Sequence, residues 1–128
     1  MVNQITEGVR ITVETGYEER YSDVDNANFV FTYRITIENT NDFPVQLLSR
    51  HWDIFDSNGE LTTVDGEGVV GKQPVLHPGE YYNYESACNL KTTIGRMSGY
   101  YNMVRVPDNK KLRVEIPEFE LAVPFMLN

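Results

Sequence analysis

From Asn28 to Thr40 the chain alternates with a period of two residues. Phe29, Phe31, Tyr33, Ile35 and Ile37 share one parity, while Thr32, Arg34, Thr36 and Glu38 take most of the other. Successive side chains of an extended backbone point to opposite faces, so these five apolar residues fall on one side. The pattern specifies a half-buried antiparallel strand. Val9, Ile11 and Val13, set against Arg10, Thr12 and Glu14, repeat it. Leu112, Val114 and Ile116, set against Lys111, Arg113 and Glu115, repeat it near the end. No stretch carries an apolar repeat at helical spacing.

Turn chemistry separates the extended runs. Asn39-Thr40-Asn41-Asp42-Phe43-Pro44 is a polar connection closed by proline. Asn58-Gly59 is the pair that favours a type I′ hairpin turn. His77-Pro78-Gly79-Glu80 has proline and then glycine at its centre, and Pro107-Asp108-Asn109-Lys110 is a further turn. These breaks place strands at about 7–18, 28–40, 45–56, 60–64, 80–88, 97–106 and 110–116, with a last one near 119–123. The expected fold is an all-β, immunoglobulin-like sandwich of about seven to eight antiparallel strands. Trp52 stands in the third run, where such sandwiches bury a tryptophan. No cysteine pair brackets it, so the likeness is to the fibronectin type III-like variety. The C-terminal stretch is apolar at Phe119, Leu121, Val123, Phe125 and Leu127, yet carries Pro117 and Pro124. Proline removes a ladder donor, so an edge or bulged strand is expected there. An apolar edge can also pair with a second copy, which makes a homodimer through it an open expectation.

The 128 residues fit one domain, 1–128, whose core needs no staples. Cys88 is the single cysteine, which excludes an intrachain disulfide and fits a reducing cytoplasm. The first residues lack the basic and apolar regions of a signal peptide, and no apolar run is long enough for a membrane-spanning helix. A formal charge of −8 argues against phosphate backbones and anionic membranes as partners. It suits a basic protein partner.

Gly66-Glu67-Gly68-Val69-Val70-Gly71 matches GxGxxG letter for letter. The dinucleotide version needs a strand before it and a helix after it, whose N-terminus holds the pyrophosphate. Lys72-Gln73-Pro74 follows, and no helix fits before the turn at His77. The stretch reads as a glycine-rich connection crossing between the sheets. The other reading has loop amides and Lys72 holding a phosphate in a nest. Ser49, His51 and Asp53 share one face of a strand, and Arg50 and Trp52 share the other. Cβ atoms two residues apart are separated by roughly 6–7 Å, too far for a Ser–His–Asp relay. No catalytic residue is assigned. Arg50 and His51 read as anchors of neighbouring loops or as anion contacts. His51, His77 and Cys88 lack companions at metal-ligand spacing, so no metal site and no cofactor are expected. Tyr81-Tyr82 and Tyr100-Tyr101 each put one ring on an outer surface, where tyrosine suits protein recognition.

The run Leu47-Leu48-Ser49-Arg50-His51-Trp52, the turn Asp56-Ser57-Asn58-Gly59, the block from Gly66 to Leu76 and Pro78-Gly79-Glu80 together resemble the bacterial ApaG family. Met97-Ser98-Gly99-Tyr100-Tyr101-Asn102-Met103 and Ile116-Pro117-Glu118-Phe119-Glu120-Leu121 fit its pattern too. Cys88-Asn89-Leu90 departs from it, where Cys-Pro-Leu is more usual. The resemblance implies a fibronectin type III-like sandwich. It implies a link to cobalt and magnesium homeostasis and, through related domains in F-box proteins and a polymerase-interacting protein, a protein-binding role. The leading expectation is a non-enzymatic protein-interaction module using Tyr81, Tyr100 and His51. The second is a binder of pyrophosphate or nucleotide phosphates through Gly66, Gly68, Gly71, Lys72 and Arg50. The third is a weak divalent-cation sensor built on loop carboxylates.

Overall fold

The computed structural model describes residues 1–124. Its strands are β1 (Val2–Thr6), β2 (Val9–Tyr17), β3 (Phe29–Asn39), β4 (Val45–Asp56), β5 (Leu61–Glu67), β6 (Val75–Leu76), β7 (Tyr81–Leu90), β8 (Ile94–Arg105) and β9 (Lys110–Ala122). Two antiparallel sheets face each other. One runs in the order β1-β2-β3-β7, the other β5-β4-β8-β9, with β6 pairing to β4. Phe125 and Leu127, expected to continue the apolar C-terminal run, lie outside the described residues.

The two-residue alternation becomes the core directly. Phe29, Phe31, Tyr33, Ile35 and Ile37 of β3 are all at most 6% exposed. Each such burial contributes roughly 1.5–3 kcal/mol. A one-residue slip of β3 would turn all five to solvent, so its register is fixed by about 10 kcal/mol of apolar burial. Val9, Ile11 and Val13 of β2 lie in the same layer. Trp52 of β4 is buried and meets Tyr33 and Phe119 edge-on or tilted, with centroids at 5.4 Å and 5.9 Å. It therefore joins the two sheets.

Three details differ from the sequence expectation. Strands β1 and β6 are additional, and the runs at 110–116 and 119–123 are one strand. In β9 the register shifts between Met97↔Phe119 and Gly99↔Ile116, so Pro117 and Glu118 stand opposite Ser98 alone. The bulge absorbs the missing proline donor and switches the inward parity from Leu112, Val114 and Ile116 to Phe119 and Leu121. Strand β9 is also an edge, so both features expected of Pro117 are present. The Asn58-Gly59 hairpin is not type I′. Gly59 has φ +91° while Asn58 is not among the positive-φ residues, and the Gly59 amide donates to the Asp56 carbonyl. This is a three-residue loop with glycine in the left-handed position. The type I′ geometry, with two successive positive φ angles, belongs to Glu7-Gly8 and Val70-Gly71.

Buried Asn39 ties the loops at one end of the sandwich. Its Nδ2 donates to the carbonyls of Phe43 and Leu76, and its Oδ1 accepts from the Asn41 amide. Its backbone amide donates to the Glu80 carbonyl and its carbonyl accepts from the Gly79 amide. The Pro78-Gly79 turn, with Gly79 at φ +84°, is thereby pinned to the end of β3.

Candidate functional site

The glycine-rich stretch does not cross between the sheets. Gly66 and Glu67 belong to β5, opposite Arg50 and Ser49 of β4. The Gly68 amide continues the ladder to the Leu48 carbonyl. Val69 and Lys72 then exchange both backbone hydrogen bonds around Val70-Gly71, and the Leu47 amide donates to the Pro74 carbonyl. The chain thus stays against β4 through β6 and changes sheets only at His77-Glu80. Arg50 holds the start of this stretch, and pairing of β6 with β4 holds its end. The Arg50 side chain lies across Gly66, where a Cβ would come within 2.8 Å of the guanidinium. Its Nη1 donates to the carbonyls of Glu67 and Gly68 at 3.0 and 2.8 Å. Gly68 adopts φ +61°, and a Cβ there would stand 2.2 Å from the Lys72 carbonyl oxygen.

The residues expected to bind an anion are therefore partly assembled. Arg50, Gly66 and Gly68 adjoin one another, and Gly71 and Lys72 form the exposed turn tip. The amides of Gly68, Val69 and Lys72 all donate to backbone carbonyls. The stretch turns carbonyl oxygens, not converging amides, toward the guanidinium.

The outer face of the sheet β5-β4-β8-β9 carries a different constellation. Asp65, His51, Tyr100 and Glu115 stand in register on β5, β4, β8 and β9. The His51 Nδ1 lies 2.6 Å from Asp65 Oδ1, and its Nε2 lies 3.1 Å from Asp53 Oδ1. Its ring stacks on Tyr100, with centroids 4.8 Å apart and planes 17° from parallel. The Arg113 guanidinium carbon sits 3.7 Å from the Tyr100 centroid, and Arg113 Nε donates to Glu115. Along the same face Arg96 stacks over Phe55 at 4.6 Å and pairs with Glu118. Cation–aromatic contacts of this kind favour a fixed geometry.

The carboxylates set the charge of His51. The hydrogen bond that the imidazole donates to Asp65 is the largest influence and raises the His51 pKa. Partial desolvation opposes this, and Asp53 adds to it. The imidazole is thus held with a carboxylate on each nitrogen. The reach from His51 to Asp53 is shorter than their Cβ spacing suggests, because both side chains lean along the strand. Ser49 takes no part, since its Oγ accepts from Asn102. A nucleophile–base hydrogen bond between Ser49 and His51 is not among the contacts of the described residues.

Tyr100 and His51 share this face, but Tyr81 does not join them. It is 65% exposed at the start of β7, on the other sheet. Sequence reasoning named His51 and Tyr100 but missed Arg113, Asp65 and Arg96. The period-two parity of β5, β8 and β9 placed them outward; only the register brings them together. Inside the sandwich Tyr84 and Tyr101 join their hydroxyls across the two sheets. Burial raises the pKa of both, and that of Tyr33. Burial likewise pushes the Cys88 thiol up to about 11. Among the described residues no three His, Cys, Asp or Glu side chains are grouped to hold a metal ion.

Comparison with known proteins bears on the family. The family model described as ApaG domain matches residues 19–105. Protein ApaG from Brucella abortus (strain S19) is 46% identical over 124 residues, covering 97% of this chain and 95% of that protein. Protein ApaG from Sinorhizobium fredii is 42% identical over the same coverage. A crystal structure of a protein named ApaA from Bordetella pertussis superposes with a TM-score of 0.88. It is 41% identical and covers 91% of this chain and 94% of its own.

Proposed function

The chain belongs to the ApaG domain family, and on that premise we propose that it is a cytoplasmic, non-enzymatic protein-interaction module whose recognition surface is the outer face of β5-β4-β8-β9. The observation that carries this reading is the stack from His51 through Tyr100 to Arg113. Each of its side chains is already fixed by a neighbour, so a partner would order few rotamers on docking. Aromatic rings and arginine are the residues that most often anchor interfaces. His51 has both nitrogens engaged by carboxylates, an arrangement suited to holding a shape. Anion binding at Gly66, Gly68, Gly71, Lys72 and Arg50 has less support, because the amides of Gly68, Val69 and Lys72 already donate to backbone carbonyls.

Quantitative affinity capture followed by mass spectrometry tests the proposal. A specific partner should be recovered by the wild type and by Tyr81→Ala, which alters the opposite sheet. Recovery should fall about tenfold with Tyr100→Ala or Arg113→Ala, the loss of one anchoring side chain. Repeated captures with no specific partner would sink the idea. So would recovery that is indifferent to both outer-face variants.

A further inference from the structure

Strand β5 is an unprotected edge of the sandwich. It pairs with β4 on one side only, and every residue except Gly66 is exposed. Edge strands usually carry a proline, a lysine or a bulge that discourages pairing. Strand β9, at the other edge of this sheet, has all three in Pro117, Lys110, Lys111 and its register shift. Leu61–Glu67 has no proline and no lysine, and its pairing runs without a shift. Instead it holds Thr62, Thr63 and Val64 in succession, which favour extended backbone. Leu61 and Val64 are 52% and 38% exposed.

The ladder shows which backbone groups are free. The Gly68 amide donates to the Leu48 carbonyl, and the Asp56 amide donates to the Glu60 carbonyl. With the register from Ser49↔Glu67 to Phe55↔Leu61, these bonds assign Thr62, Val64 and Gly66 to the positions bonded to β4. Hydrogen-bonded and non-bonded pairs alternate, so Leu61, Thr63, Asp65 and Glu67 turn their N–H and C=O groups outward. Arg50 caps the Glu67 carbonyl. The open window runs from Leu61 to Asp65.

Its two faces differ. Asp65 stands on the outer face beside Asp53, and Glu60 and Glu67 flank the window. Val64 points inward at the lip of a crevice of about 200 Å³ between the sheets, where Arg50 and Ser86 stand among Trp52, Ile54 and Met97. A strand laid along β5 would therefore set alternate side chains against the outer carboxylates and against Val64 at the mixed lip.

We propose that the β5 edge accepts an extended segment of a partner protein, in which basic residues alternate with apolar ones, as an added strand. Main-chain bonds to Leu61, Thr63 and Asp65 supply the affinity, and the alternation supplies the preference. The formal charge of −8 and the acidic outer border supply the electrostatic complement. This site uses backbone groups of β5 and meets the His51–Tyr100–Arg113 stack only at Asp65, whose carboxylate holds His51.

The test uses the full chain and a short capped peptide of alternating lysine and valine, followed by backbone NMR and amide exchange. Binding should protect the Thr63 and Asp65 amides and weaken as salt is raised. Thr63→Pro removes an outward donor without touching a bond to β4, and should lower affinity about tenfold while the melting temperature confirms folding. Asp65→Asn keeps the edge intact and should lower affinity about threefold. Tyr100→Ala should leave peptide binding unchanged, which keeps this result distinct from that of the outer-face proposal. No binding at millimolar peptide overturns the inference. So does equal affinity for a glutamate–valine peptide, or binding unchanged by both β5 variants. Concentration-dependent protection of Thr63 and Asp65 in the protein alone would give the edge to a second copy, and would also overturn it.

Discussion

At the scale of single residues, His51 converts surface geometry into pH dependence. Its folded pKa is raised, chiefly by the Asp65 hydrogen bond. Folding therefore favours the imidazolium. The stabilisation is complete below about 6.5, the ordinary histidine value, and disappears as pH rises through the raised value. NMR titration of His51 should give a midpoint above the ordinary value, and Asp65→Asn should bring it back toward 6.5. A midpoint unmoved by Asp65→Asn would mean that this contact is not kept in solution. Sequence parity predicted that His51 and Asp53 share a face. It did not predict Asp65, which is distant in sequence and arrives through the β4–β5 register. Gly66 is similar. The residue is visible in any reading, but its neighbour, the Arg50 guanidinium lying across it, depends on a strand pairing.

At the scale of elements, the strands with five or three alternating apolar residues were the legible ones. β2 and β3 each bury one parity, β9 buries one on either side of its bulge, and burial decides the backbone conformation. β1 and β6 were not legible. Val2–Thr6 buries none of its residues fully, and Val75–Leu76 is too short to show a period. Both exist because a neighbour offers backbone partners, through the Glu7-Gly8 turn for β1 and through β4 for β6. The join between β3, β6 and the Pro78-Gly79 turn rests on Asn39. Asn39→Ala leaves the buried Leu76 carbonyl and the half-buried groups of Phe43 and Asn41 without their side-chain partner. The expected cost is about 3 kcal/mol, since each such group costs roughly 1–3 kcal/mol before relaxation. Urea unfolding should show a lower midpoint with an unchanged slope. A loss under half a kilocalorie, on the order of surface substitutions, would contradict the role given to Asn39.

At the scale of the whole molecule, the sandwich keeps its single thiol inert. Cys88 is 7% exposed, and burial raises its pKa from 9.0 to about 11. The raised pKa and the burial both reduce the reactive thiolate, so a thiol-reactive dye should label the native protein roughly tenfold or more slower than the denatured one. Labelling of native protein at the denatured rate would mean that the sheets open at Cys88 far more readily than their packing implies. The sequence alone determined the all-β class, the inward faces of β2, β3 and the first part of β9, and the buried Trp52. These follow from local parity, because a period of two and the transfer of apolar surface out of water leave one solution. The glycine pattern marked a place where the backbone is crowded. What crowds it, which strand forms the open edge and which outward residues meet in the His51–Tyr100–Arg113 stack were decided only by tertiary structure. Those outcomes depend on register between strands far apart in the chain, and a one-residue difference in register would bring other side chains together.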